Sequence, residues 1–328
     1  MSDIAQLLAD ASSQLTQEGA PYALTNLSVG GIDYRTFKAV PNSVRELLDV
    51  GRHHGDACFV EYEGEEWSFN RFYQHTDAIA YQLVNRYGIQ KGDRVAIVMR
   101  NFPEWMTAYV AIISLGAIVV PLNSWGQKDE LLYGINDCSA KVVFCDQQRF
   151  NLISDELVKM DLKAVVARPS ETISSNNAES YDNFIEGISG IEVPFFEVAP
   201  EDSAMIMYTS GTTGRPKGCM LGHEYELMLG AWYCSRGELF TLLEGEERIY
   251  NPLPLFHINA GVLHLFGTIV SGNCQIIPER FSRSRWWPEI RATRATGMHY
   301  LGVVIPALMN APERPDDKEH TLRWGLGA

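Results

Sequence analysis

The chain has 328 residues, 46% of them hydrophobic and 21% charged, an ordinary globular balance with enough apolar content for a sizeable core in one large or two medium domains. A net charge of -14 repels the phosphate backbone and so disfavours nucleic acid as a general partner, and it argues against an anionic membrane surface. Six cysteines (Cys58, Cys138, Cys145, Cys219, Cys234 and Cys274) are scattered without a C-x-x-C pair, which gives a zinc site no support and reads as reduced thiols in the cytoplasm.

Residues 1–44 read as an N-terminal arm and helix. The opening MSDIAQLLADASSQLTQEG carries Asp3, Asp10 and Glu18 and no basic region, so it is not a signal peptide but a short amphipathic helix or a loose arm. From residue 91 onward β-branched runs alternate with helical stretches. Strands are expected at Asp93–Met99, Ile118–Leu122, Lys141–Cys145 and Lys163–Ala167, and helices at Pro103–Gly116, Lys128–Cys138 and Asn151–Met160. Strands that are apolar throughout are buried on both faces, and their alternation with helices implies a mostly parallel sheet.

Trp105–Leu122 contains no charge and has the length of a bilayer span. Thr107, Ser114, Gly116 and Pro121 interrupt it, and it divides into a buried helix and a buried strand, so no integral membrane segment is expected. Residues 169–180 are polar and aperiodic and read as a linker loop between lobe one, about 45–168, and lobe two, about 181–328. In the second lobe Ala204–Tyr208 is a strand, His223–Ser235 a helix, and Ile258–Val270 a helix closed by Gly272. Cys274–Ile277 follows as a strand, Ser282–Ala295 as a helix and Met298–Val303 as a strand. The fold class expected is α/β, two packed lobes of mainly parallel sheet flanked by helices.

The sharpest signal is Tyr208–Leu221, YTSGTTGRPKGCML. It gathers Gly211, Gly214 and Gly218, the hydroxyls of Thr209, Ser210, Thr212 and Thr213, and Lys217. Glycines at positive φ let successive backbone N–H groups converge on an anion, hydroxyls add adaptable donors, and lysine brings a mobile positive charge for a triphosphate. The preceding strand sets the loop at the carboxyl edge of a sheet, where open α/β sheets bind ligands. The spacing is not G-x-x-x-x-G-K-[ST], and Pro216 disfavours a helix running straight out of the loop.

T-S-G-T-T-G-x-P-K-G resembles the signature loop of the adenylate-forming superfamily, which holds acyl-CoA synthetases, peptide-synthetase adenylation domains and luciferases. Further blocks look like that family's: Trp67–Leu83, Gly92–Asn123, Pro252–Ala260 (PLPLFHINA, similar to its P-x-x-H segment) and Leu322–Ala328 (LRWGLGA, similar to the strand into its adenine-binding segment). The resemblance runs from about residue 45 to the end and implies the large N-terminal domain of such an enzyme. One departure is Gly222 before His223, where the family usually carries Thr or Ser. The family's magnesium-holding glutamate, ribose-binding aspartate, hinge and C-terminal lysine would lie beyond Ala328. The chain as given is therefore expected to be a truncated AMP-binding domain, without the small C-terminal domain and catalytically incomplete by itself.

By resemblance the chain activates a carboxylic acid, fatty or otherwise apolar, to acyl-AMP with ATP and Mg²⁺ and passes it to coenzyme A. Lys217 and His257 are the catalytic candidates. Thr209, Ser210, Gly211, Thr212, Thr213, Gly214, Lys217, Gly325, Gly327 and Ala328 would hold nucleotide. His257, Asn259, Gly261, Gly302 and Val303 would line the acyl pocket. His223, His264 and His299 read as packing or capping residues, and no histidines or carboxylates cluster at metal-ligand spacing. Adenylation domains for amino acids place a carboxylate near the pocket histidine. HINAGVLH has none, which favours a plain acid over that alternative; a non-catalytic nucleotide-binding fragment is the third reading. The sequence sets neither the acid's length nor an oligomeric state.

Overall fold

A computed structural model of the chain describes residues 2–327 except 21, 30, 39–42, 195, 210–214, 236 and 238–240. The chain opens with a solvent-facing helix, α1 (Ser2–Thr16), and an antiparallel hairpin of β1 (Leu24–Val29) and β2 (Ile32–Phe37). Then come α2 (Val44–Arg52), β3 (Cys58–Tyr62), β4 (Glu65–Ser68) and α3 (Phe69–Asn85). The predicted alternation follows as β5 (Arg94–Val98), α4 (Pro103–Ser114), β6 (Ile118–Pro121), α5 (Lys128–Asp137), β7 (Val142–Asp146), α6 (Gln147–Lys159) and β8 (Lys163–Ala167). Beyond it lie β9 (Ala178–Ser180), α7 (Tyr181–Ile185), β10 (Ser203–Thr209), β11 (Lys217–Gly222), α8 (His223–Cys234) and β12 (Arg248–Tyr250). A π-helical turn (Asn259–His264) runs into α9 (Leu265–Ser271), and β13 (Cys274–Ile276), α10 (Trp286–Ala292), β14 (Gly297–Tyr300), α11 (Val304–Met309) and β15 (Trp324–Gly327) complete the order.

Two mostly parallel sheets result, as the alternation implied. One has the order β11-β10-β6-β5-β7-β8-β9 and is parallel except where β11 turns back against β10. The other has the order β15-β14-β12-β13-β3-β4 and is parallel except for the β3–β4 hairpin. Helix α4 is buried from Pro103 to Ile113 and β6 along its whole length, so Trp105–Leu122 is core. Among the described residues no helix is long and apolar enough to cross a membrane. One apolar cluster joins Phe59, Val60 and Trp67 of the six-stranded sheet to Val95, Val119 and Phe144 of the seven-stranded one through α3 and α4.

That shared core corrects the division drawn at residues 169–180. The segment is a surface loop that closes on β9, but it does not separate the sheets. β10 and β11, from after it, extend the first sheet, while β3 and β4, from before it, complete the second. Hydrophobic period identifies a strand without naming its neighbour, so pairings this distant in sequence are invisible to it.

Three predicted elements end differently. The helix expected over Ser282–Ala295 starts at Trp286, and Pro288, in its first turn, lacks the N–H that would carry it further back. The strand expected to reach Val303 stops at Tyr300 and turns into α11. The helix expected over Ile258–Val270 begins as a π-helical turn. There a Cβ on Gly261 would lie 2.0 Å from the Leu255 carbonyl oxygen, so this approach requires glycine. Gly272, at φ 68°, closes α9 as the left-handed cap that was predicted.

Candidate active site

Strand β10 delivers Tyr208 and Thr209 to the end of the seven-stranded sheet, and β11 returns antiparallel with Lys217 opposite Thr209 and Gly218 opposite Tyr208. The phosphate-loop motif is therefore the connection of a hairpin, and a strand rather than a helix leaves it, in keeping with Pro216. Ser210, Gly211, Thr212, Thr213 and Gly214 lie outside the described residues, as does Ala328.

A cavity of about 640 Å³ opens at the carboxyl ends of β6 and β10. Its wall is built from Pro121 at the end of β6, from Leu122, Asn123 and Trp125 after it, from Glu130, Leu131, Tyr133 and Gly134 of α5, and from Tyr208, Thr209 and Pro216 of the hairpin. Pro254, Phe256 and His257 close it from the segment after β12. The carboxyl edge of parallel strands is where open α/β sheets take ligands. Thr209 and His257, from motifs 48 residues apart, share this wall (257 − 209).

His257 is solvent-accessible at this surface and tilts 49° against the Phe256 ring at 4.5 Å. Its backbone is fixed on both sides: its N–H donates to Pro254 O at 3.1 Å, and its carbonyl accepts from Gly261 N–H at 2.9 Å. Apolar surroundings hold its pKa below the usual imidazole value, so at neutral pH the ring is uncharged and offers one donor and one acceptor. Tyr208 donates to Asp137 Oδ2 at 2.6 Å, and burial followed by that carboxylate raises its pKa. Asn123 donates to Glu130 Oε1 at 3.3 Å. Cations stand at the rim: the Arg100 guanidinium stacks 3.5 Å from the Trp125 ring centroid, and Arg215 lies 5.3 Å from that of Tyr133.

The other predicted site residues are placed as follows. Lys217 is exposed at the start of β11. Asn259 and Gly261 do not line this cavity. Asn259 Oδ1 instead accepts from Asn251 Nδ2 at 3.2 Å and from His299 Nδ1 at 2.8 Å, and Gly261 is packed against Leu255 and Trp105. Gly302 and Val303 sit in an exposed turn, Val303 at 75% exposure, away from this wall. Gly325 and Gly327 pair with Met298 and Tyr300 across β14–β15, where a Cβ on Gly327 would come 2.6 Å from the Tyr300 ring.

His223, His264 and His299 are buried, as packing residues should be. His264 and His299 stack at 4.8 Å, and Tyr233 O–H meets His299 Nε2 at 2.7 Å. Glu130 and Tyr133 carried no sequence signal, because α5 reads as an ordinary amphipathic helix, and Trp125 stands in the loop before it, outside any motif. Tyr208 stood inside the recognised motif without being singled out.

Among the described residues no group of three or more His, Cys, Asp or Glu is placed to hold a metal ion. Around the cavity the side-chain oxygens include one carboxylate, that of Glu130, beside the Thr209 hydroxyl, the Asn123 amide and the Tyr133 and Tyr208 hydroxyls. Such a sparse oxygen set fits Mg²⁺, which keeps most of its shell as water and phosphate oxygen.

The profile of the family described as AMP-binding enzyme matches residues 48–328. The chain is 27% identical over 308 residues to Long-chain fatty acid transport protein 2 of Rattus norvegicus, covering 93% of this chain and 49% of that protein. It is 29% identical over 300 residues to Medium/long-chain-fatty-acid–CoA ligase FadD6 of Mycobacterium tuberculosis, covering 87% and 47%. The chain thus spans about half the length of the curated relatives it matches. Among solved structures, the inhibitor-bound N-terminal domain of FACL13 from Mycobacterium tuberculosis superposes with TM-score 0.72 at 20% identity, covering 88% of this chain and 70% of that one. ATP-bound MatB from Rhodopseudomonas palustris superposes with TM-score 0.70 at 23% identity, covering 85% and 54%. At these identities the structural likeness speaks for the fold.

Proposed function

The chain belongs to the AMP-binding enzyme family, and on that premise we propose that its protein is an AMP-forming acid–thiol ligase acting on a fatty or other apolar carboxylic acid. The observation that carries this reading is the cavity with Thr209 of the phosphate-loop hairpin and His257 of the P-x-x-H segment on one wall. Pro121, Leu122, Leu131, Pro254 and Phe256 supply an apolar lining suited to a plain acid. The names of the relatives, a fatty acid transport protein and a medium/long-chain-fatty-acid–CoA ligase, support the same substrate class.

The chemistry follows from charge. A carboxylate has a poor leaving group until AMP is placed on it. The acid is already ionised at neutral pH, so its attack on the α-phosphate of ATP, expelling pyrophosphate, needs no general base. The obstacle is repulsion between anions, which positioning and neutralisation remove. Lys217 and the hydroxyls of Thr209, Ser210, Thr212 and Thr213 are assigned to the phosphates. Uncharged His257 donates one hydrogen bond to an oxygen of the acid or the α-phosphate. Gly325, Gly327 and Ala328 are assigned to the adenine. Mg²⁺, when bound with ATP, would supply positive charge to the phosphate oxygens, and the Thr209 hydroxyl and the Glu130 carboxylate are the candidates to share in holding it. The thiol of coenzyme A then takes the acyl group and releases AMP. Asn259 and Gly261, in the turn that carries His257, are assigned to shaping the acyl side from behind the cavity wall, and Gly302 and Val303 to the acyl side away from this wall. The six free thiols support a cytoplasmic location.

Acid-dependent ATP–pyrophosphate exchange by the protein that contains this chain, across a panel of fatty and amino acids, tests this reading. Exchange with medium or long fatty acids is the expected result. Exchange with amino acids in their place would assign the chain to adenylation domains, and nucleotide binding without exchange on any acid would make it a binding protein.

A further inference from the structure

Two thiols touch inside the six-stranded sheet, away from the cavity. Cys58 is the first residue of β3 and half-buried; Cys274 is the first residue of β13 and buried. The strands are parallel neighbours, with Gln275 opposite Val60, and the two sulfurs lie 3.5 Å apart. On the other edge of β13, strand β12 sets Arg248 opposite Cys274. That guanidinium is anchored by Nε donating to Thr293 O at 2.7 Å and by an ion pair with Glu61. The Cys274 S–H donating to Cys58, with Arg248 nearby, keeps the Cys58 thiol below its usual pKa, while the same hydrogen bond and burial push Cys274 up. The half-buried member of the pair is thus the more readily ionised, and the buried member the more reluctant to give up its proton.

We infer that Cys58 and Cys274 are a reversible dithiol–disulfide pair, a modification site at which a two-electron oxidant of the peroxide class closes a bond between β3 and β13. The Cys58 thiolate attacks one peroxide oxygen, and the O–O bond breaks. The departing hydroxide takes up a proton to become water, leaving Cys58 as the sulfenic acid. Cys274 loses its proton and attacks the Cys58 sulfur, the S–O bond breaks, and a second water leaves. Two thiols have given up two electrons and two protons, and one peroxide has become two waters. The sulfurs must close from 3.5 Å to a bonded distance of about 2.05 Å, a movement on the order of the reach of two side-chain rotations. The half-exposure of Cys58 gives the oxidant access, and the burial of Cys274 fixes the order of the steps. The bond would join residues 216 apart in sequence and fasten the β3–β4 hairpin into its sheet.

The test treats the reduced chain with hydrogen peroxide, alkylates the remaining thiols and maps peptides without reduction. The expected product is a peptide pair joining Cys58 to Cys274, lighter by two hydrogens and separated again by dithiothreitol. In Cys274→Ser the pair is absent and dimedone captures Cys58 as a sulfenic acid; in Cys58→Ser, Cys274 stays reduced. Should either variant fail to fold, the mapping of the unmodified chain decides alone. Cys58 remaining reduced at a dose that oxidises exposed Cys219 would overturn the proposal. So would Cys58 passing to its sulfinic acid while Cys274 stays free.

Discussion

Thr209 and Lys217 stand opposite each other across the last pair of the β10–β11 hairpin, so the hydroxyl and the ammonium flank the base of the phosphate loop. Their positions are coupled by backbone pairing rather than by the loop's own conformation. Lys217→Ala should therefore leave the hairpin paired, because Lys217 is exposed and buries little. The expected loss is electrostatic, about a hundred- to a thousand-fold in exchange rate, as for removing one preorganised stabiliser. Lys217→Met, keeping the length without the charge, should fall as far. An unchanged rate in both would remove Lys217 from the phosphates.

His257 should act as a neutral donor. Desolvation lowers its pKa, so protonation sets in below the ordinary imidazole value of about 6.5. The exchange rate should hold as pH falls through that value and decline only further down. His257→Ala should lower the rate and remove the decline that His257 causes. A decline centred at or above the ordinary value, lost in the variant, would contradict the neutral assignment.

Gly261→Ala tests the scaffold behind His257. The added methyl would lie 2.0 Å from Leu255 O and 2.9 Å from the Trp105 ring, and the backbone oxygen has no rotamer by which to withdraw. Overpacking of this kind costs about 1–3 kcal/mol or more. Because Gly261 N–H donates to the carbonyl of His257, the displacement should also reach the cavity wall. Denaturant unfolding should show the loss, and full stability in the variant would mean that the turn relaxes freely.

The local elements were legible because their causes are local. The buried run Ile118–Pro121, the Pro103 helix start and the Gly272 cap each follow from a few adjacent residues. The hairpin nature of the phosphate loop was half legible, since Pro216 excluded a helix without specifying β11. The cavity was legible at Thr209 and His257, which lie in dense motifs, and not at Trp125, Glu130 or Tyr133. Glu130 and Tyr133 reach the wall through the placement of α5, and Trp125 from the loop between β6 and α5, which no spacing encodes. Asn259 shows the converse. His257, two residues before it, faces the cavity, but Asn259, at the start of the π-helical turn, bonds to His299 and Asn251.

Glu226 gives the protein a predictable pH response. It is fully buried on α8, where Tyr109 donates to its Oε1 at 2.5 Å and Oε2 has no hydrogen-bond partner among the described residues. Burial raises its pKa to about 8, the Tyr109 hydrogen bond opposing only in part. The folded state therefore holds a proton that the unfolded state, at about 4.3, has released. Between those values the folded chain binds more protons, so stability from this group is full below the unfolded pKa and is lost as pH rises through the folded one. Buried His223 and half-buried His75 work in the opposite direction. Desolvation lowers both to about 4, so each takes stability away as pH falls from about 6.5. Together these groups should put the maximum of the melting temperature near the middle of the range, with a decline toward pH 9. Glu226→Gln keeps the size and a hydrogen bond to Tyr109 while removing the titration. Its melting temperature should be flatter from pH 6 to 9, and the gap in stability from the parent chain should widen by an amount on the order of a few kcal/mol up to about pH 8 and level off above it. Parallel curves for the two proteins would show that Glu226 does not titrate in this range.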